Sequence, residues 1–146
     1  MRSSWTFLSI CLTFLAVGNI LQAQDISGTW YNTEKSGKIK IFAEGDVYFG
    51  EIVWLEEPND ENGNPKVNEN SPEASEQSMP IIGLRVLRDF TADGEGKFSG
   101  GTIYDPENGK TYKCVITVVS EDQLDVRGYV GIPALGRTEN WTRASE

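Results

Sequence analysis

The stretch Lys110-Thr111-Tyr112-Lys113-Cys114-Val115-Ile116-Thr117-Val118, followed after Ser120-Glu121-Asp122 by Leu124-Asp125-Val126-Arg127-Gly128-Tyr129-Val130, decides how this chain folds. In the first segment the even positions read Lys110 and then Tyr112, Cys114, Ile116 and Val118, while the odd ones include Thr111, Lys113 and Thr117. In the second, Leu124, Val126, Gly128 and Val130 oppose Asp125, Arg127 and Tyr129. A period of two sends alternate side chains to opposite faces of a strand, so each segment predicts a strand with one dry and one wet face. The join between them is too short for a crossover, and the two strands must run antiparallel.

Working outward, the same pattern recurs. Short runs rich in Val, Ile, Tyr, Phe and Trp predict strands near 26–33, 37–43, 46–55, 83–90, 97–104, 110–119, 122–130 and 135–143. Most connections are tight and carry turn chemistry, as in Glu34-Lys35-Ser36-Gly37, Ala43-Glu44-Gly45-Asp46 and Ala92-Asp93-Gly94-Glu95-Gly96. Eight sequential antiparallel strands with one apolar face can close on themselves and lose their edges. The expected fold is therefore all-β, an eight-stranded antiparallel up-and-down barrel, favoured over a sandwich. Gly50, Gly100, Gly101 and Gly128 inside strands suit the coiling that a small barrel needs.

One connection departs from this economy. Residues 56–80 hold Pro58, Pro65, Pro72 and Pro80 and seven acids against Lys66 alone. A long acidic, proline-rich loop without period is either a binding segment or solvated disorder.

The chain has 146 residues, 13 Lys+Arg against 22 Asp+Glu, a formal charge of -9 and no histidine. Nucleic acid is excluded as a partner, since phosphate binding needs clustered cations. Missing histidine removes His-based acid–base chemistry, Ser-His and Cys-His nucleophiles and the commonest metal ligand. Residues 1–23 place Arg2 before the apolar run Trp5 to Val17 and end in Leu21-Gln22-Ala23, the order of a signal peptide. The run is shorter than the ~20 residues of a spanning helix, so cleavage near Ala23-Gln24 is expected over an uncleaved anchor. Cys11 lies within the run and Ile10 before it is not small, which argues against lipidation. What remains is a single domain, 24–146, periplasmic or secreted, with no span and with Cys114 as its sole cysteine. No internal disulfide is available, so the domain relies on its core, and Cys114 in its apolar run is expected to be buried and inert.

The polar motifs mostly have plain explanations. Asp105-Pro106-Glu107-Asn108-Gly109 predicts a hairpin turn, with Lys110 and Tyr112 beside it as candidates to hold an acidic headgroup at a barrel mouth. Asp60, Asn62 and Glu69 echo part of a calcium loop, but Pro58 stands where its first ligand belongs, so they form only a weak calcium candidate. Glu51 is an isolated acid in an apolar strand; the other paired acids fall in loops and are solvated charge. The aromatics say more. Tyr48, Gly50, Ile52 and Trp54 are expected to share one face, as are Phe98, Gly100, Thr102 and Tyr104, and large residues beside small ones leave room for one small ligand.

Ile26-Ser27-Gly28-Thr29-Trp30-Tyr31-Asn32 resembles the Gly-x-Trp opening of the lipocalin and avidin barrels. That resemblance implies that Gly28 and Trp30 close one end of the barrel under an Arg of the last strand, Arg143 first and Arg137 second. Over about 26–143 the chain also resembles the bacterial domain-of-unknown-function family 2147. The motifs are Gly28 and Trp30; Gly50, Ile52, Trp54 and Leu55; Gly63 and Pro65; Gly83 and Leu84; Gly100 to Tyr112; Leu124 to Tyr129; and Gly136 to Arg143. The family usually carries an Arg in the long loop, and this chain has none between 56 and 84. The resemblance implies a barrel and export, and no catalytic residue.

Together these features lead us to expect an exported, non-enzymatic barrel without cofactor, binding a small apolar or amphipathic ligand with Trp54, Tyr48, Tyr104, Lys110 and Tyr112. The alternative is an envelope structural or interaction protein with a filled barrel, acting through its 56–80 loop on a cationic partner or calcium.

Overall fold

In the computed structural model of the chain, residues 24–145 are described; the leader expected over 1–23 lies outside them. Eight strands follow in order: β1 Gly28–Tyr31, β2 Gly37–Glu44, β3 Val47–Leu55, β4 Arg85–Ala92, β5 Lys97–Asp105, β6 Lys110–Ser120, β7 Gln123–Tyr129 and β8 Arg137–Arg143. Each pairs antiparallel with the next, and β1 pairs with β8 through Trp30↔Arg143 and Tyr31↔Thr142, which closes the barrel. An up-and-down meander gives such a barrel two distinct ends. The approach to β1, the β2–β3, β4–β5 and β6–β7 turns and the end of β8 form the base. The other four connections form the mouth.

The inner face follows from register and burial. Ile39, Ile41, Ile52, Leu87, Phe90, Phe98, Cys114, Ile116, Leu124, Val126 and Trp141 are all buried and form one cluster with Trp30. Each such side chain contributes about 1.5–3 kcal/mol through removal from water. Gly101 is required by this packing, because a Cβ there would stand 2.5 Å from the Phe90 ring.

Two bulges correct the face assignments drawn from strict alternation. In the β2–β3 ladder Lys38 pairs with Trp54 but Ile39 pairs with Ile52, so Val53 is an extra residue. The parity of β3 flips there: Leu55 turns inward and Trp54 joins Lys38 on the outer face. In the β5–β6 ladder Phe98 pairs with Ile116 and Gly101 with Cys114, two residues of β5 lying opposite Val115 alone. Gly100 takes a positive φ of 77° at that bulge, facing Asp89 at 64°. Inward positions on β5 are thus Phe98, Gly101 and Ile103, and Tyr104 points out.

The 56–80 segment follows a defined path. Two isolated bridges, Asn59↔Pro65 and Val67↔Pro80, and a short 3-10 turn at Ala74–Glu76 organise it. Asn68, fully buried, accepts from the Tyr104 hydroxyl at 2.6 Å through Oδ1. Asn70 donates to the Pro106 and Glu107 carbonyls at 3.2 and 3.0 Å. These bonds tie the loop to β5 and to the β5–β6 turn. A second 3-10 turn, Pro133–Leu135, takes up the first residue of the span expected for the last strand, which begins at Arg137.

Candidate functional site

The base is sealed by one arginine. The Arg143 guanidinium lies 4.1 Å from the Trp30 ring centroid, and its Nη1 and Nε donate to the Ser27 and Glu121 carbonyls at 3.1 and 2.7 Å. Trp30 Nε1 donates to the Ile26 carbonyl at 2.9 Å. Gly28 has φ 131°, and a Cβ on it would stand 2.6 Å from Arg143 Nη1. Gly28, Trp30 and Arg143 therefore assemble as one plug, while Arg137 sits exposed at the other end. Two open clefts of about 530 Å³ flank Arg143 at this base. They sit under the plug, away from the end at which the sequence places a ligand.

At the mouth the inner face changes character. Leu55, Ile103, Tyr112, Gly128 and Glu139 belong to the inward set by register, yet each is only partly buried. Their exposed faces form the cup of this end, above the packed floor of Leu87, Cys114, Val126 and Trp141, against which Leu55 and Ile103 also pack. The strand ends and connections of this end also carry Val53, Trp54, Val67, Met79, Ile82, Val130, Ile132 and Leu135, all exposed, the last 78%. Among the described residues Val119 is the one other large apolar side chain so exposed. Apolar surface gathered at one end of a domain marks a place where something binds.

The residues expected to share a pocket do not all meet. Tyr112 faces the cup, and its hydroxyl accepts from Asn108 Nδ2 at 3.0 Å. Lys110 stands exposed at the rim, opposite Asp105 in the ladder. Trp54 is on the outer wall, edge-on to Tyr31 at 6.2 Å with Lys38 over both rings. Tyr104 is also outside, under the long loop. Tyr48 points inward but at the base, against Phe98 at 5.0 Å; burial first, then Asp25 and Asp46, push its hydroxyl pKa up.

The other polar candidates have partners. Asp105 Oδ1 accepts from the Glu107 amide and Asn108 Oδ1 from the Lys110 amide, with Gly109 at φ 70°, as a hairpin turn requires. Asp60 Oδ1 accepts from the Asn62 and Asn64 amides, so this carboxylate braces its own turn. Among the described residues no three Cys, Asp or Glu side chains gather as a metal ion would need, Asp60 and Glu69 included. Glu51 lies on the outer face, paired with Arg85 at 3.3 Å.

Two inward groups complete the site. Cys114 is buried, and burial first, then the Glu139 carboxylate, raise its thiol from 9.0 to about 12, so it stays protonated and inert at neutral pH. Glu139 is the group that sequence reasoning missed. It pairs with Val126 on the inner face, and Trp141 Nε1 donates to its Oε2 at 3.1 Å. The signal was present in the last strand, where Glu139, Trp141 and Arg143 alternate with Asn140 and Thr142.

A solved structure described as "Protein HP1028 from the human pathogen Helicobacter pylori belongs to the lipocalin family" is similar to this chain, with a TM-score of 0.75, 20% identity and 84% of each chain covered. At that identity the likeness shows the fold alone, a lipocalin-like barrel. No curated protein matches. The family model described as "Uncharacterized protein conserved in bacteria (DUF2147)" matches residues 28–143, from the glycine of the base plug to its arginine, and the chain belongs to that family.

Proposed function

We propose that the chain is an exported, non-enzymatic barrel that holds a small apolar or amphipathic molecule in the cup at its mouth. One observation carries this reading: inward-facing Leu55, Ile103, Tyr112 and Gly128 stay partly open to water above a floor that is packed. Eight-stranded barrels have room for one small ligand when their upper interior is not filled. The apolar side chains around the rim would cover a ligand's tail, and the lipocalin-like architecture supports the same reading. Export places the domain in the periplasm or outside the cell, with cleavage near Ala23-Gln24. No described helix is long and apolar enough to cross a membrane.

The test is a titration of the processed chain with N-phenyl-1-naphthylamine, a neutral apolar probe that fluoresces when shielded from water. Saturable binding of one probe per chain is expected. A filled barrel acting through its acidic loop predicts no saturation, and that result would overturn the proposal. Fractionation of the host, with the mass of the processed chain, tests export: a cytoplasmic protein that keeps residues 1–23 would refute it.

A further inference from the structure

We propose that the cup selects a cationic amphiphile, with Glu139 as the counter-ion for its positive headgroup. This rests on the mouth being the binding site and names the class of ligand it takes.

Along the inner face of β8, Arg137 stands exposed at the rim and Arg143 is committed to the base plug. Between them register places Glu139 on the inner face, one step deeper than the other inward-parity charges of this end, Asp105, Lys110 and Arg137, of which Asp105 and Lys110 pair at the β5–β6 turn. The single hydrogen-bond partner of Glu139 is Trp141 Nε1, a neutral donor on a side chain that is 2% exposed. No Lys or Arg lies within 4.0 Å of it among the described residues, whereas Arg85, Lys66 and Arg143 all have such partners. A carboxylate drawn into an apolar wall, oriented by a buried donor and left without a cation, is arranged to receive positive charge from outside the chain.

Access is built in as well. β1 pairs with β8 only at Trp30↔Arg143 and Tyr31↔Thr142, so Arg137 to Asn140 have β7 on one side and no strand on the other. The Thr33 hydroxyl, donating to the Asn140 carbonyl at 3.1 Å, spans that seam. A headgroup entering at the mouth reaches Glu139 with the seam beside it, and its tail then lies toward the exposed Ile132 and Leu135. An anionic headgroup at the level of Glu139 would meet that carboxylate first, because Arg137 and Lys110 stand exposed at the rim. This reverses the acidic-headgroup preference that Lys110 and Tyr112 suggest from the sequence, because Lys110 stays at the rim.

The experiment compares decylammonium, decanoate and decanol as competitors of N-phenyl-1-naphthylamine, at 0.15 M salt and below micelle formation. The salt screens the attraction of any cation to a chain of net charge -9. Decylammonium should displace the probe at least tenfold more tightly than decanoate. Glu139→Gln should abolish that preference, and Glu107→Gln on the exposed turn should leave it and the binding of probe and decanol unchanged. Thermal melts check that both variants fold, and movement of the Trp141 indole N–H resonance on adding decylammonium gives a second readout in the native protein. Equal binding of the two ions, or a preference that survives Glu139→Gln, overturns the cationic assignment alone. Failure of the neutral probe itself to bind overturns the mouth as a site, and this inference with it.

Discussion

Replacing Arg143 by Ala removes the side chain that joins the first strand to the last across the base. Three interactions go with it. The stack on Trp30, at 4.1 Å, is worth about 0.5–2 kcal/mol. The donations to Ser27 and Glu121 carbonyls come from a charged group, each worth about 1.5–3 kcal/mol when dry. The side chain is 33% exposed, so the hydrogen bonds fall at or below the bottom of that range, and the 3.9 Å approach to exposed Asp122 adds little. The expected net loss is about 2–4 kcal/mol, which for a domain of this size lowers Tm by roughly 10 °C. Arg143→Lys keeps the charge but loses the planar fork, and should cost about half as much. Gly28→Ala drives a methyl into Arg143 Nη1 and forces φ 131° on an alanine, so it should destabilise by the same route. The double variant Gly28→Ala/Arg143→Ala should then cost less than the sum of the singles, because much of the Gly28 penalty is the displacement of Arg143. Urea unfolding followed by circular dichroism and tryptophan fluorescence measures the four variants against the wild type. A loss below 0.5 kcal/mol for Arg143→Ala, or strict additivity in the double variant, would show that the plug does not hold the barrel shut.

Tyr104→Phe deletes the hydroxyl that binds Asn68, whose Nδ2 already lacks a partner, and should cost about 1–3 kcal/mol; amide exchange in residues 66–81 should quicken most. Unchanged exchange there would mean the loop is held by something else. Gly101→Ala places a Cβ 2.5 Å from the Phe90 ring and should destabilise by about 1–3 kcal/mol in the same urea assay, with a wild-type midpoint refuting the packing. The Cys114 thiol is pushed up to about 12 in the folded chain, so the unfolded chain loses its proton first as pH rises. Stability from this group is complete below about pH 9 and declines between pH 9 and 12, by at most about 1.4 kcal/mol per pH unit. Cys114→Val should remove that part of the alkaline slope, and an identical slope in the variant would contradict the burial argument.

Much of the fold is legible from period two alone. Residues 110–130 announce an antiparallel pair, and the short polar turns extend it to a meander that closes at Trp30 and Arg143. The site was harder to read, and for a definite reason. Face assignments hold only until a bulge, and the extra residue at Val53 and the one beside Gly100 turn Trp54 and Tyr104 to the outside. A bulge is set by the partner strand's register, so nothing local to Trp54 declares it. The long loop shows no period because its hold on the barrel comes from two asparagines reaching residues more than thirty positions away. Glu139 was readable: Trp141 and Arg143 fix which face of β8 looks inward, and Glu139 shares it. Its polarity disguised it as a surface residue.

The placement of the ligand is tested most directly by amide chemical-shift mapping of the processed chain titrated with decylammonium. Shifts should concentrate at Ile103, Tyr112, Gly128 and Arg137 to Trp141, with the Trp141 indole proton moving as its Glu139 acceptor is engaged. Shifts confined to Arg143 and the base, or to the 56–80 loop, would contradict a binding cup at the mouth.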